Sequence, residues 1–185
     1  LSLRLQNRFR AERLLISTQS LLRSSGLSDE ASAAAAVQAF EEILRISPDH
    51  SAAAAGLTEI SKHYGQLAAE AAQAGEVAEA IRLLQRATAA RSDLREHDRI
   101  RFLISQATSI QSAVADLLIR AESQIANERL MAQGDDSAAQ LLLQVLATDP
   151  DNERATQGLQ QITATVMDQT QQMLNRGEIA NAQAM

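Results

Sequence analysis

The sequence contains a partial copy of itself, displaced by 102 residues. The matching segments, each followed by its copy, are 46–50 and 148–152, 56–57 and 158–159, 75–78 and 177–180, and, with a slip of one residue, 14–15 and 117–118. Duplication on this scale favours a repeat architecture, in which each copy leaves an apolar face that a neighbouring copy covers. The chain is therefore interpreted as one module and most of a second.

Two consecutive helices are predicted between residues 57 and 90. The apolar residues of the first recur at steps of three and four, which places them on one helical stripe: Leu57, Ile60, Tyr64, Leu67 and Ala71. Gly75 ends this helix, since glycine adopts the left-handed cap conformation without a steric penalty. The second helix follows with Val77, Ala80, Ile81, Leu84 and Ala87 as its apolar face. Two such helices joined by a short turn fold back on each other.

The spacing of residues 64–92 resembles the tetratricopeptide repeat, a 34-residue helix-turn-helix unit. The residues that carry the resemblance are Tyr64, Leu67, Ala68, Ala71, Gly75, Ala80, Leu84, Ala87 and Ser92. The second half of the same unit is matched by Ala36, Phe40, Ile43 and Pro48, and again by Ala138, Leu142, Val145 and Pro150. The resemblance covers roughly residues 11–92 and 113–184. It implies an all-α protein, an α-solenoid of antiparallel helix hairpins.

The predicted organisation is a first helical module at 1–92, a helical linker or the start of a long helix at 93–112, and a second module at 113–185 that is cut short at its C-terminus. Helices are predicted at 2–25, from Asp29 to before Pro48, at 50–74, 77–90, 136–147 and 152–175, and after Gly177. Between them, one helix extends from about 93 to 131, or breaks near 106–112. Residues 133–136 are expected to close that helix and to cap the next.

Composition excludes several classes of function. The chain has no cysteine, which removes disulfides, thiolate zinc sites and cysteine nucleophiles. Its net charge of -6 and pI near 5.1 argue against a general nucleic-acid binder, which needs a basic surface. The sequence shows neither a transmembrane run of eighteen apolar residues nor a signal peptide. It reads as a fragment of a longer protein, so that a membrane contact is expected only through a segment outside it.

No catalytic or metal-binding motif is found. The three histidines, His50, His63 and His97, have no second ligand at one-turn spacing. His63 and Tyr64 suggest a base beside a phenol, but Tyr64 falls on a packing position, so structural roles are expected for both. The acidic run 149–153 lacks the pattern of a calcium loop and is interpreted as a helix cap. The chain is therefore expected to be non-enzymatic and to need no cofactor or metal.

Two groups of arginines stand out. Arg4, Arg8, Arg10 and Arg13 make the start of the first helix basic; this is interpreted as a solvated face or as a segment attracted to anionic lipid head groups. Arg91, Arg95 and Arg99 are expected one turn apart on one helix face. They are a candidate basic surface, either paired internally with nearby acids or free to hold a phosphate or carboxylate.

The tetratricopeptide resemblance implies a binding groove lined by the first helix of a unit, where such proteins hold peptides or other proteins. The candidate groove residues here are Lys62, Gln66, Ala69 and Gln73. The leading hypothesis is a non-catalytic protein–protein interaction scaffold with a protein or peptide partner. The alternatives are a structural element that forms homo-oligomers through its long helices, and a ligand-sensing or catalytic helical domain based on the charged run and His97.

Composition and resemblance also suggest a source and a location. An Ala- and Arg-rich composition with Lys62 as the sole lysine suits a bacterial protein. The module resembles helical segments that follow a membrane anchor in envelope proteins, which favours the periplasm or cell envelope, with the cytoplasm as the alternative.

Overall fold

The computed structural model describes residues 2–131 and 136–176, with side chains from residue 5 onward. The helices are α1 (Ser2–Ser25), α2 (Glu30–Ile46), α3 (Ser51–Gln73), α4 (Val77–Ala90), α5 (Glu96–Ala126), α6 (Ala138–Thr148) and α7 (Glu153–Asn175). No strand occurs in these residues. The prediction of an all-α fold is confirmed, while the solenoid arrangement stays a prediction.

Side chains and glycines define the helix ends. Asp29, His50 and Asn152 each accept a hydrogen bond from the backbone N–H three residues on, which satisfies a donor that the first turn leaves free. The cap residues of α3 and α7 are thus His50 and Asn152, each of which follows an aspartate. At the end of α3, Gly75 has a φ of 78°. The next N–H, from Glu76, donates to the Ala71 carbonyl at 2.9 Å, as in a Schellman cap.

Contacts divide the chain into two units, residues 1–108 and 109–185. The division falls inside the segment 93–112, and the predicted module boundaries stay a prediction. In the first unit α1 packs on α2, α2 on α3, and α3 on α4. Ten of the nineteen buried core residues of this unit are alanines, so the axes of its helices can approach closely. On α4 the core-facing residues include Leu83, whereas Ile81 is 42% exposed, so the predicted place of Ile81 on the apolar face was wrong.

The second unit repeats the packing of the first. The 23 residues of α7 correspond one for one to the 23 residues of α3 at the same displacement of 102. In the first unit a Cβ on Gly56 would lie 2.5 Å from the ring of Phe40, and in the second a Cβ on Gly158 would lie 2.7 Å from Leu142 Cδ1. Phe40 and Leu142 are also 102 residues apart. Further equivalent pairs are buried in both units: Ala36 and Ala138, Ile43 and Val145, Ala53 and Ala155, and Ile60 and Ile162.

The long helix is continuous but shorter than predicted. α5 runs from Glu96 to Ala126 without the alternative break near 106–112, because serine, threonine and glutamine lower helix propensity only slightly. α5 begins after the predicted residue 93 because the backbone at Arg91 is extended and ends α4. It ends before the predicted residue 131 because Glu128 has a left-handed φ of 59°. Its buried residues belong to two cores, Ile100 and Ile104 to that of the first unit and Val114, Leu118 and Ala121 to that of the second.

By length and composition α5 could cross a membrane, and only 22% of its apolar window is buried. This differs from the expectation of no such run, because short pairs of uncharged polar residues (105–106, 108–109 and 111–112) interrupt the apolar residues without adding charge. Core helices of water-soluble proteins can have the same length and composition.

Two predictions near the end of the chain have different outcomes. The next helix, α6, begins at Ala138 with Ser137 as its cap, so the predictions that it begins at 136 and is capped by residues 133–136 were wrong. Residues 133–135 of that segment and the helix predicted after Gly177 lie outside the described residues.

Candidate partner-binding groove

The four predicted groove residues of α3 line one open groove of about 360 Å³ in the first unit. Lys62, Gln66, Ala69 and Gln73 follow each other at steps of four, three and four residues, which keeps them on one side of the helix. The opposite wall comes from the segment before α5 and its first two turns: Leu94, Glu96, His97, Arg99, Ile100 and Leu103. The groove therefore lies between α3 and the start of α5.

The floor of the groove is formed where α5 crosses a glycine. Gly65 is buried on α3, and a Cβ there would lie 3.3 Å from Ile100 Cδ1. Because there is no side chain at Gly65, Ile100 reaches into the core and is 5% exposed. Ser61, one turn before Gly65, also lines the groove. A larger residue at position 65 would push the two walls apart.

A buried hydrogen-bond network holds the start of α5 against α3 and α4. The Ser61 hydroxyl donates to the Ala87 carbonyl at 2.8 Å, which uses its only hydrogen. Its oxygen then accepts from His97 Nε2, 3.1 Å away. Ser61 and His97 are 0% and 1% exposed. Sequence reasoning missed Ser61, although its position one turn after Leu57 marks it as a polar residue on the apolar face.

The Ser61–His97 pair does not have the arrangement of a nucleophile and its base. In a catalytic pair the histidine accepts the hydroxyl proton and a third group orients the ring. Here the hydroxyl proton is held by a carbonyl, and His97 Nδ1 has no hydrogen-bond partner among the residues that the structure describes. The geometry is that of a structural tie between three helices.

Two cations at the rim of the groove are unpaired. Neither Lys62 nor Arg99 forms an ion pair with any residue in the described ranges, whereas Arg82, Arg86 and Arg91 are bound to carboxylates. Glu96 is the acidic residue of the rim. A partner that places a carboxylate between Lys62 and Arg99 would find two free donors.

The predicted basic surface is not a single helix face. Arg91 is extended and lies outside both α4 and α5. Its guanidinium donates to Asp93 at 2.8 Å and to Thr58 at 2.7 Å, so it joins the loop to α3. Arg95 precedes α5 and is exposed, and Arg99 is the one that borders the groove. The prediction that the three lie one turn apart was wrong because α5 begins after Arg95.

A second charged cluster lies on another side of the unit. Glu30 at the start of α2 accepts hydrogen bonds from Arg82 and Arg86 of α4. These bonds, Arg86 first, lower the pKa of Glu30 from 4.5 to about 2. Arg86 also lies 5.7 Å from the centroid of the buried Tyr64 ring. The Tyr64 hydroxyl donates to the Leu27 carbonyl at 3.2 Å, so this tyrosine packs helices together.

The remaining histidines have local partners. The His50 ring caps α3 through Nδ1, which accepts from the Ala53 N–H at 3.3 Å. His63 meets the Tyr64 ring edge-on, with 5.4 Å between centroids. Within the described parts of the chain, histidine and acidic side chains form no group of three that could hold a metal ion.

Comparisons with protein-family models, curated proteins and solved structures found no match to this chain, and the tetratricopeptide resemblance stays a prediction.

Proposed function

We propose that the first unit is a non-catalytic binding module that holds a segment of another protein in the groove between α3 and α5. The observation that supports this most is the convergence of all four predicted α3 residues on one groove. The tetratricopeptide resemblance, which led to those four residues, is part of the same proposal. So are a bacterial source and a place in the periplasm or cell envelope.

The lining of the groove favours a particular kind of segment. Gly65, Ala69 and Ile100 give a smooth apolar floor that suits small aliphatic side chains. The unpaired Lys62 and Arg99 at the rim favour an acidic side chain beside them. Gln66 and Gln73 add side-chain amides, although Gln66 already donates to Glu70 at 3.0 Å. The proposed ligand is thus a short segment that combines small apolar residues with a carboxylate.

Selection of peptides from a random library tests the groove directly. The purified chain is used for selection, and the recovered peptides are then measured against Ala69→Arg, which fills the middle of the groove. Ala89→Arg is the matched control, because Ala89 is exposed on α4 and does not line the groove. We expect Ala69→Arg to weaken binding at least about tenfold, the loss of one well-packed contact, and Ala89→Arg to leave it unchanged.

The charge of the selected peptides provides a second readout. Lys62→Glu reverses one of the two rim cations and should weaken binding of acidic peptides more than that of their amide analogues. Peptides that bind Ala69→Arg as well as the original chain would contradict the proposal. The homo-oligomer alternative is tested by sedimentation, since a monomer at all concentrations removes it.

A further inference from the structure

Helix α1 is apolar on two opposite faces. Its inner face, with Ala11 and the partly buried Leu14 and Leu15, packs into the core of the first unit. The outer face carries Leu5, Phe9 and Ile16, which are 52%, 68% and 66% exposed. Steps of four and seven residues place these three on a single stripe along the helix. Nothing in the described part of the chain covers this stripe.

Cationic side chains border the stripe. Arg8 and Arg13 lie to either side of it at helical spacing, and both are exposed. Neither forms an ion pair with the residues that the structure describes, while Arg10, nearer the inner face, pairs with Glu42 at 3.4 Å. The helix holds five arginines against one acidic residue, Glu12, in a chain whose net charge is -6. Beside the stripe, the unpaired Arg8 and Arg13 outnumber the one acidic residue, Glu12.

We infer that the outer face of α1 binds the surface of an anionic lipid bilayer, with the helix lying in the plane of the head groups. An aromatic and two aliphatic residues would enter the boundary of the acyl chains, and the arginines beside them would remain at the phosphates. Anionic lipids attract each such arginine, whereas a zwitterionic surface does not. This inference is independent of the groove, which is built from other helices.

Vesicle flotation tests the inference. The chain is mixed with phosphatidylcholine vesicles that contain or lack phosphatidylserine, and the bound fraction is measured at low and high salt. We expect binding to the anionic vesicles only, and weaker binding as salt screens the charges. Phe9→Ser should lower the affinity roughly tenfold or more, since it removes a large apolar side chain from the lipid. Combined Arg8→Gln and Arg13→Gln should lower it about 25-fold, about fivefold for each charge.

Phe102→Ser is the matched control. Phe102 is 61% exposed on α5, close in exposure to Phe9 but outside the α1 stripe, so its loss should leave flotation unchanged. Helix content measured by circular dichroism establishes that each variant is folded. Failure to float with anionic vesicles, equal binding to both vesicle types, or an equal loss with Phe102→Ser would overturn the inference. If Phe9→Ser instead converts a dimer into a monomer and no vesicle is bound, the stripe covers a second copy of the chain.

Discussion

Gly56 and Gly158 each allow a large side chain of the preceding helix to lie against the helix backbone. The ring atoms of Phe40 occupy the place of the missing Cβ at Gly56, and Leu142 Cδ1 occupies it at Gly158. Both side chains are buried, but an aromatic ring is rigid, whereas a leucine methyl group moves with a change of rotamer. The two equivalent glycines therefore differ in how much they resist a larger residue.

Gly56→Ala is expected to destabilise the chain by about 1–2 kcal/mol. Overpacking against the Phe40 ring destabilises by about 1–3 kcal/mol. The better helix propensity of alanine offsets up to about 1 kcal/mol of this. Gly158→Ala is the matched control and should be close to neutral. Urea unfolding followed by circular dichroism measures both. A larger loss at Gly158 than at Gly56 would refute this explanation.

The paired state of Glu30 predicts a pH dependence of stability. Its pKa is lowered to about 2 in the folded chain, so the pairing with Arg86 and Arg82 stabilises the fold above the ordinary pKa of 4.5. This contribution is lost as the pH falls from 4.5 toward about 2. Glu30→Gln should lower the unfolding free energy at neutral pH, and its difference from the original chain should shrink over that range. Glu41→Gln is the control, because Glu41 lies on the same helix and forms no ion pair among the described residues; it should change the unfolding free energy less. If the difference in unfolding free energy between Glu30→Gln and the original chain does not change with pH, that result would count against the pairing.

At the scale of elements, the start of α5 is held by one small network. The Ser61 hydroxyl joins α3, the carbonyl end of α4 and His97 of α5. The adjoining wall of the groove depends on this junction, because Ile100 and Leu103 follow His97 on the same helix. Loosening the junction should therefore open the groove without unfolding α3 and α4.

Ser61→Ala should cost about 1–3 kcal/mol, because it leaves the buried His97 Nε2 without a partner, whereas the Ala87 carbonyl still accepts from the Arg91 N–H. Hydrogen exchange should become faster in the first turns of α5 and change less in α4. Ser105→Ala, an exposed position on the same helix, should be nearly neutral. Unchanged exchange near His97 in Ser61→Ala would show that the network does not hold α5.

Most elements could be predicted from the sequence, and the details of the junction could not. Local signals predicted α3 and its end correctly: the helical spacing of Leu57, Ile60 and Tyr64, and the glycine at position 75. The start of α5 depends on Arg91, which has a partner on α3 33 residues earlier in the chain, and no local pattern records that bond. Likewise, the tetratricopeptide resemblance pointed to the four α3 residues of the groove, but the opposite wall and the Ser61–His97 pair require the tertiary packing.

At the scale of the whole molecule, the duplication preserves packing but not the lining of the groove. The positions equivalent to Ser61, Gly65 and Lys62 are Thr163, Met167 and Ala164. Met167 is 69% exposed, and its side chain would fill the space that Gly65 leaves open. Among the described residues, α7 therefore repeats buried positions of α3 but not the residues that line the groove.

The most direct test of the duplication exchanges the large residues of the two copies. Phe40→Leu and Leu142→Phe are each combined with alanine at the facing glycine, and the unfolding free energies are compared in double-mutant cycles. If the two helix pairs pack alike, the cost of about 1–2 kcal/mol for alanine should depend on whether an aromatic ring faces the glycine. The cost of Gly56→Ala should therefore fall when Phe40 is replaced by leucine. The cost of Gly158→Ala should rise when Leu142 is replaced by phenylalanine. Costs that stay with each glycine, whichever side chain faces it, would contradict the claim that the second copy repeats the packing of the first.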